Sequence, residues 1–225
     1  MDSKYYSKNL SGERLRRVYE IAQPRIQQYF DAEINHVISR IDDYTSLLEL
    51  GCGYGRVLKQ LAGHIENAVG IDISPDNISY AKKYLAGESN CYVYEMDALS
   101  LDFDDNEFDM VICVQNGISS FRVDPAELIM ESLRVAQPGG LVLFSSYSEK
   151  IWPERLRWFE MQSDEDLLGE IDREKTGDGV IVCKDGFRAT TTSSQEFRQF
   201  CDQLMVEHRI IEVDESSLFC ETIVP

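Results

Sequence analysis

The feature that most limits what this chain can become is a glycine-rich turn between an apolar run and a helical pattern. Ser46-Leu47-Leu48-Glu49-Leu50 reads as a strand and runs straight into Gly51-Cys52-Gly53-Tyr54-Gly55. From Val57 to about Gly63 the apolar spacing becomes helical. Glycine permits positive φ in a tight turn and lets a ligand approach the backbone closely. The helix start behind the turn adds N–H groups with no partner inside the helix.

The same alternation recurs downstream. Short apolar runs lie at Ala68–Ile71, Tyr92–Met96, Met110–Val114 and Leu141–Ser145. Unbroken apolar runs suit strands covered on both faces, as in a parallel sheet. Between them, Ser74-Pro75 and Asp124-Pro125 each supply an N-cap followed by proline at the first helical position. Strand–helix alternation implies an α/β fold, a three-layer, doubly wound, Rossmann-like sheet with right-handed crossovers.

The flanks differ. Up to about Asp43 the chain is helical: a short helix follows Ser11, with Leu15, Val18, Tyr19 and Ala22 on one face. A second follows Pro24, with Ile26, Phe30, Ile34, Val37, Ile38 and Ile41 at helical spacing. From Tyr147 to Thr192 the rhythm breaks. The aromatic-rich stretch Trp152–Phe159 leads to Leu168–Thr176, the turn Gly177-Asp178-Gly179, and Val180–Thr191. A turn between two β-type runs predicts a hairpin. Ser193 and Glu196 then have capping-box spacing before a helix with Phe197, Phe200, Cys201 and Leu204 on its apolar face. Arg209–Val213 and Leu218–Val224 read as two closing strands. The expected organisation is one domain over 1–225, with an N-terminal helical lid over 1–43 and an inserted hairpin over 147–192.

The 225 residues suit one α/β domain with additions, and 43% hydrophobic content can build its core. The net charge of −18 repels phosphate backbones and argues against nucleic acid as a partner. The longest purely apolar runs are of strand length, so no membrane partner is expected, and the start carries no signal-peptide pattern. A cytoplasmic location is expected. The six cysteines include no C-x-x-C pair, so neither a metal site nor a disulfide framework is signalled.

Asp72 ends the second apolar run, about twenty residues past Gly51, where an acid can accept both hydroxyls of an adenosine ribose. A dinucleotide turn prefers G-x-G-x-x-G, because pyrophosphate sits on the helix N-terminus. Here the glycines run G-x-G-x-G, with Glu49 just before them. A carboxylate there favours a cationic ligand such as S-adenosylmethionine (SAM) and repels a pyrophosphate.

Leu48–Gly55 resembles the first motif of class I SAM-dependent methyltransferases. Gly70-Ile71-Asp72-Ile73-Ser74 is similar to that family's second-strand acidic motif, and Met96-Asp97-Ala98 to its third-strand end. Phe103 with Phe108–Cys113 resembles the fourth strand and its lead-in, and Arg134–Leu143 the turn into the fifth. The resemblance covers about Thr45 to Ser146 and the two terminal strands. It implies a seven-stranded sheet, mostly parallel with the last strand antiparallel, and SAM as cofactor with S-adenosylhomocysteine as product. By that resemblance Gly51 and Gly53 pass under the methionine part, and Glu49 supports its amino group. Asp72 takes the ribose hydroxyls, Ile73 packs on the adenine, Asp97 and Ala98 read the adenine edge, and Gln115 lies on the cofactor side after the fourth strand.

The chain lacks an Asn-Pro-Pro-Tyr-type element after that strand, which argues against methylation of exocyclic amines on DNA bases or of glutamine side chains. No general base stands out, and His36, His64 and His208 read as structural or surface groups. A small-molecule acceptor is expected, with Tyr5, Tyr6, Asn116, Phe121, Arg122, Tyr147, Trp152 and Arg188 around it. A nicotinamide-dependent oxidoreductase and a non-catalytic SAM-binding module stay open as alternatives.

Overall fold

A computed structural model describes Tyr5, residues 10–41 and residues 46–225. Tyr6 and the expected lid boundary at Asp43 lie outside the described residues.

Seven strands form one sheet: β1 (Ser46–Leu50), β2 (Asn67–Asp72), β3 (Cys91–Glu95), β4 (Phe108–Cys113), β5 (Ala136–Tyr147), β8 (Arg209–Val213) and β9 (Ser217–Ile223). Their order is β3-β2-β1-β4-β5-β9-β8. β1 to β5 are mutually parallel, and β9 runs antiparallel to both β5 and β8. This is the expected sheet. The order reverses between β1 and β4, and ligands of open α/β sheets bind beyond the strand C-termini at such a switch point.

Side chains of a strand alternate between faces, and the core divides accordingly. Leu47, Met110, Ile112 and Leu143 pack beneath helices α2 (Pro24–Ile38), α3 (Arg56–Leu61) and α4 (Pro75–Tyr84). Leu48, Val111, Cys113 and Phe144 pack beneath α6 (Pro125–Val135) and α8 (Ser194–Leu204). The predicted caps are in place: the Ser74 hydroxyl accepts from Asn77 N–H at 3.3 Å, and Asp124 accepts from Ala126 N–H at 2.9 Å. Ser193 and Glu196 close a full capping box.

A third cluster lies beyond the strand ends. It joins α1 (Gly12–Glu20) and α2 to the segment after β5, through Val18, Tyr29, Phe30, Trp158, Ile181 and Phe187. The inserted hairpin is present, but not at the turn where the sequence places it. Trp152–Asp164 is a helix, α7, which opens with Pro153 in its first turn. The expected turn at Gly177–Val180 does form, with reciprocal 2.9 Å backbone bonds. Its arms, however, pair only through isolated bridges, Ile171 with Cys183 and Gly177 with Val180. The regular hairpin is β6 (Ile181–Val182) with β7 (Arg188–Ala189). The second arm folds back on itself because Asp185-Gly186 supplies another turn: Gly186 has φ +95°, and Asp185 accepts from Phe187 N–H at 3.0 Å. That turn buries Phe187 completely.

Candidate functional site

The turn after β1 is hooked onto β2 by Cys52 N–H, which donates to the Ile71 carbonyl at 2.8 Å. Gly51 and Gly53 have φ of +71° and +54°, a region that side chains with a β-carbon strain to enter. Space excludes a β-carbon as well. One on Gly51 would stand 2.8 Å from Phe121 Cζ, and one on Gly53 would stand 2.9 Å from Leu15 Cδ2. The glycines therefore form a bare backbone floor, with Phe121 from helix α5 (Gly117–Ser120) and its C-cap, and Leu15 from α1, close above it.

Asp72 ties this floor to its surroundings. Its Oδ2 accepts from Gly53 N–H at 3.0 Å, and its Oδ1 accepts from Ser74 N–H at 2.8 Å and Asn77 Nδ2 at 3.1 Å. Asn77 in turn accepts from Gly12 N–H at 2.8 Å, joining the start of α1 to the same network. Burial pushes the Asp72 carboxyl above its ordinary range, against the pull of those hydrogen bonds. Next to it Ile73 is 63% exposed, an unusual state for isoleucine and a flat apolar surface beside the acid. Asp97 is exposed, its Oδ1 accepts from Leu99 N–H at 3.0 Å, and Ala98 is buried behind it.

Glu49 is only 3% exposed, and its Oε2 is buried without a hydrogen-bond partner. Burial pushes its carboxyl up to about 8, with Arg56 pulling the other way and Asp72 adding to the rise. The Arg56 guanidinium lies 4.7 Å from the Tyr19 ring centre and 4.8 Å from that of Phe30. Its Nη2 is also buried without a partner.

Beyond β4, Gln115 and Asn116 take consecutive left-handed conformations, with φ of 57° and 62°. Two such non-glycine residues in a row persist only where the surroundings impose them. Gln115 N–H is shared between Glu33 Oε2 and Ser145 Oγ, both at 2.8 Å. Asn116 donates to the Thr190 carbonyl at 2.9 Å and accepts from the Ser146 hydroxyl at 2.8 Å. Its amide is thus a brace between β5 and the segment after it. The Gln115 Nε2 is buried and unpartnered.

Glu33 is the residue that sequence reading passed over. It is fully buried on α2, and its other oxygen accepts from the Ser217 hydroxyl on β9. The available signal was an acid placed among Ile26, Phe30, Ile34 and Val37, on the apolar face of its helix.

The expected acceptor-side residues each have partners within the fold. Tyr147 packs 5.1 Å from Tyr29, under the guanidinium of fully buried Arg155 at 4.4 Å, and Trp152 lies 5.8 Å from the same guanidinium. Arg155 was also missed. Tyr5 donates to Asp185 and packs 5.0 Å from Phe187. Arg122 donates to the backbone carbonyl of exposed Arg188 at 2.9 Å. Trp158 fastens α7 to α1: its Nε1 donates to the Val18 carbonyl at 2.9 Å.

Of the histidines, His36 is bonded to Glu221 at 2.8 Å and packed 4.2 Å from the Phe219 ring, and His208 meets the Val206 carbonyl at 3.2 Å. Cys220 lies 3.5 Å from Cys201, sulfur to sulfur, inside the α8 layer, while Cys183 belongs to the third cluster.

Comparison with known proteins places this geometry. Residues 47–140 match the family model described as "Methyltransferase domain". An arsenite methyltransferase from Aquipseudomonas alcaligenes is 30% identical over 140 residues, covering 57% of this chain and 39% of that protein. A ubiquinone biosynthesis O-methyltransferase from Methylococcus capsulatus is 31% identical over 119 residues, 49% of each chain. This chain thus spans less than half the length of these relatives. A SAM-dependent methyltransferase structure from Aquifex aeolicus superposes with a TM-score of 0.64, at 14% identity, covering 93% of this chain and 98% of that one.

The residues present fit SAM on their own chemistry. A buried carboxylate oxygen lacking a donor suits a cationic amine, and Asp72 beside bare Ile73 suits a ribose and its base. The motif order and the switch point agree with the matched family model: residues 47–140 carry a methyltransferase domain on a Rossmann-like sheet.

Proposed function

We propose that this chain transfers a methyl group from SAM to a small-molecule acceptor. The observation that carries the reading is the unpartnered oxygen of buried Glu49, set at the head of a glycine floor whose far end is pinned by Asp72. When bound, SAM supplies a methyl group already activated by its sulfonium. The protein's task is then alignment for an in-line displacement, for which proximity and orientation suffice. In this reading Glu49 faces the amino group, Gly51 and Gly53 form the floor, and Asp72 takes the ribose hydroxyls. Ile73 lies against the adenine, Asp97 and Ala98 at its edge, and Gln115 stands between cofactor and acceptor.

The acceptor would enter between the third cluster and the Gln115–Arg122 segment, bordered by Tyr5, Phe121, Arg122, Tyr147, Trp152 and Arg188. Two relatives are named for small molecules, one for arsenite and one for ubiquinone biosynthesis, which supports that substrate class. We read residues 1–225 as one unit, with 1–43 over the cofactor side and 147–192 over the acceptor side. The net charge of −18 favours a partner other than nucleic acid, and a cytoplasmic setting goes with that reading. Among the described residues no helix is long and apolar enough to cross a membrane.

Titration calorimetry with SAM, S-adenosylhomocysteine and NAD tests the reading. SAM and its product should bind and NAD should not, and a preference for NAD overturns it. A screen of small acceptors with methyl-labelled SAM follows; tight binding with no transfer to any acceptor would make the chain a binding module instead.

A further inference from the structure

Two cysteines far from the glycine turn meet sulfur to sulfur. Cys201 sits in the second half of α8 and Cys220 in the middle of β9, and their Sγ atoms are 3.5 Å apart inside the layer that α8 forms on the sheet. Cys52 and Cys91, by contrast, each donate to a backbone carbonyl at 3.8 Å. Cys201 is fully buried and Cys220 is 2% exposed. A disulfide holds its sulfurs about 2.05 Å apart, so closing the gap takes a shift of about 1.5 Å, within reach of side-chain rotation.

The pair is also polarised. Cys220 donates to Cys201, and that bond, helped by nearby His208, lowers the Cys201 thiol below its ordinary range although burial opposes it. The same bond and burial raise the Cys220 thiol. One sulfur is thereby the readier nucleophile and the other its resolving partner. Access comes from the helix end. Cys201 is followed by exposed Asp202 and Gln203, and α8 stops at Met205, which is left-handed and 92% exposed. A terminal turn of this kind opens locally at far less cost than the whole domain.

We propose that Cys201 and Cys220 form a reversible dithiol–disulfide couple, which staples α8 to β9 when the chain meets a peroxide. The proposal does not depend on the SAM reading. The Cys201 sulfur attacks one oxygen of hydrogen peroxide, the O–O bond breaks, and Cys201 becomes a sulfenic acid; the released hydroxide leaves with the thiol proton as water. The Cys220 sulfur then attacks the Cys201 sulfur. The S–S bond forms, the S–O bond breaks, and the hydroxyl leaves with the Cys220 proton as a second water. Two thiols thus lose two electrons and two protons, and the peroxide gains both. The closed loop contains β8 and Asp214, which pairs with Arg25 of α2 at 2.6 Å.

The test treats the folded full chain with hydrogen peroxide, blocks free thiols with N-ethylmaleimide, and maps the product by non-reducing peptide mass spectrometry. The expected result is a linked Cys201–Cys220 peptide, two hydrogens lighter than its parts and lost on adding dithiothreitol. The linked protein should melt several degrees higher than the reduced one, because the closed loop restrains the unfolded chain. Cys201→Ala and Cys220→Ala should each abolish both effects, and Cys91→Ala should keep them. Thiols that stay reduced, a dominant link between any other two cysteines, or a link that forms only in urea-unfolded protein overturns the proposal. Oxidation of Cys201 to a sulfinic acid with no link, or a linked chain that melts no higher, overturns it as well. The wild-type result decides even where a variant fails to fold.

Discussion

The edge of the Phe121 ring rests on the backbone of Gly51, with Cζ 2.8 Å from where a β-carbon would stand. Gly51→Ala therefore meets both an aromatic ring and a positive φ. We expect a loss of about 1–3 kcal/mol in stability, from left-handed strain and overpacking, and weaker SAM binding. Adding Phe121→Ala should recover the steric part but not the backbone part. Urea unfolding of the two single variants and the double variant checks this; strict additivity would mean that the ring and the glycine do not interact.

Asp72 serves the turn and, in our reading, the ribose. Asp72→Ala should cost SAM affinity about tenfold or more, as expected for a lost bond to a charged acceptor. It should also destabilise the protein without ligand, because Gly53 N–H, Ser74 N–H and Asn77 lose their acceptor. Calorimetry and thermal unfolding measure the two effects separately. Unchanged affinity would remove the ribose from this position.

Glu49 sets a pH dependence. An unfolded glutamate titrates near about 4.3, whereas burial pushes the folded Glu49 up to about 8. Between those values the unfolded chain releases its proton and the folded one keeps it. Stability from this group is therefore full below about pH 4 and declines as pH rises towards 8. Glu49→Gln should flatten that decline and melt higher than wild type near pH 8, while binding SAM more weakly. Ligand binding to wild type at pH 7 should release a proton, visible as a buffer-dependent heat. A variant that melts lower across the whole range would contradict the assignment.

Asn116 braces the return of the inserted segment through Thr190 and Ser146. Asn116→Ala should leave a buried carbonyl and a buried hydroxyl short of a partner, at a cost of about 1–3 kcal/mol. Hydrogen exchange should accelerate over residues 188–193 and around Gln115. Unaltered protection there would show that the brace carries no strain.

Local rules in the sequence reached far in this fold. Each β-strand of the main sheet coincides with an apolar run, and Pro75, Pro125 and the Ser193–Glu196 box mark helix starts by chemistry internal to a few residues. The Asp72 position followed from spacing along one βαβ unit. What sequence could not give depends on partners distant in the chain. Glu33 meets Gln115 and Ser217, 82 and 184 residues away, so nothing local distinguishes it from a solvated helix glutamate. Arg155 packs under Tyr147 and bonds the Gly179 carbonyl at 2.7 Å for the same kind of reason. The hairpin's place follows from two competing local signals: Asp178-Gly179 and Asp185-Gly186 are equivalent turn dipeptides, and the regular strand pair forms around the second.

Glu33 bears on how a ligand could reach the turn. Its carboxylate is nailed to β4 and β9, so α2 is a stator: swinging it away would strip a buried acid of its donors. α1 is held by bonds to separate elements: Gly12 N–H donates to Asn77 on α4, Arg14 donates to the Asp166 and Leu167 carbonyls, and Trp158 on α7 donates to the Val18 carbonyl. Leu15, which covers Gly53, therefore sits on a helix anchored at both ends.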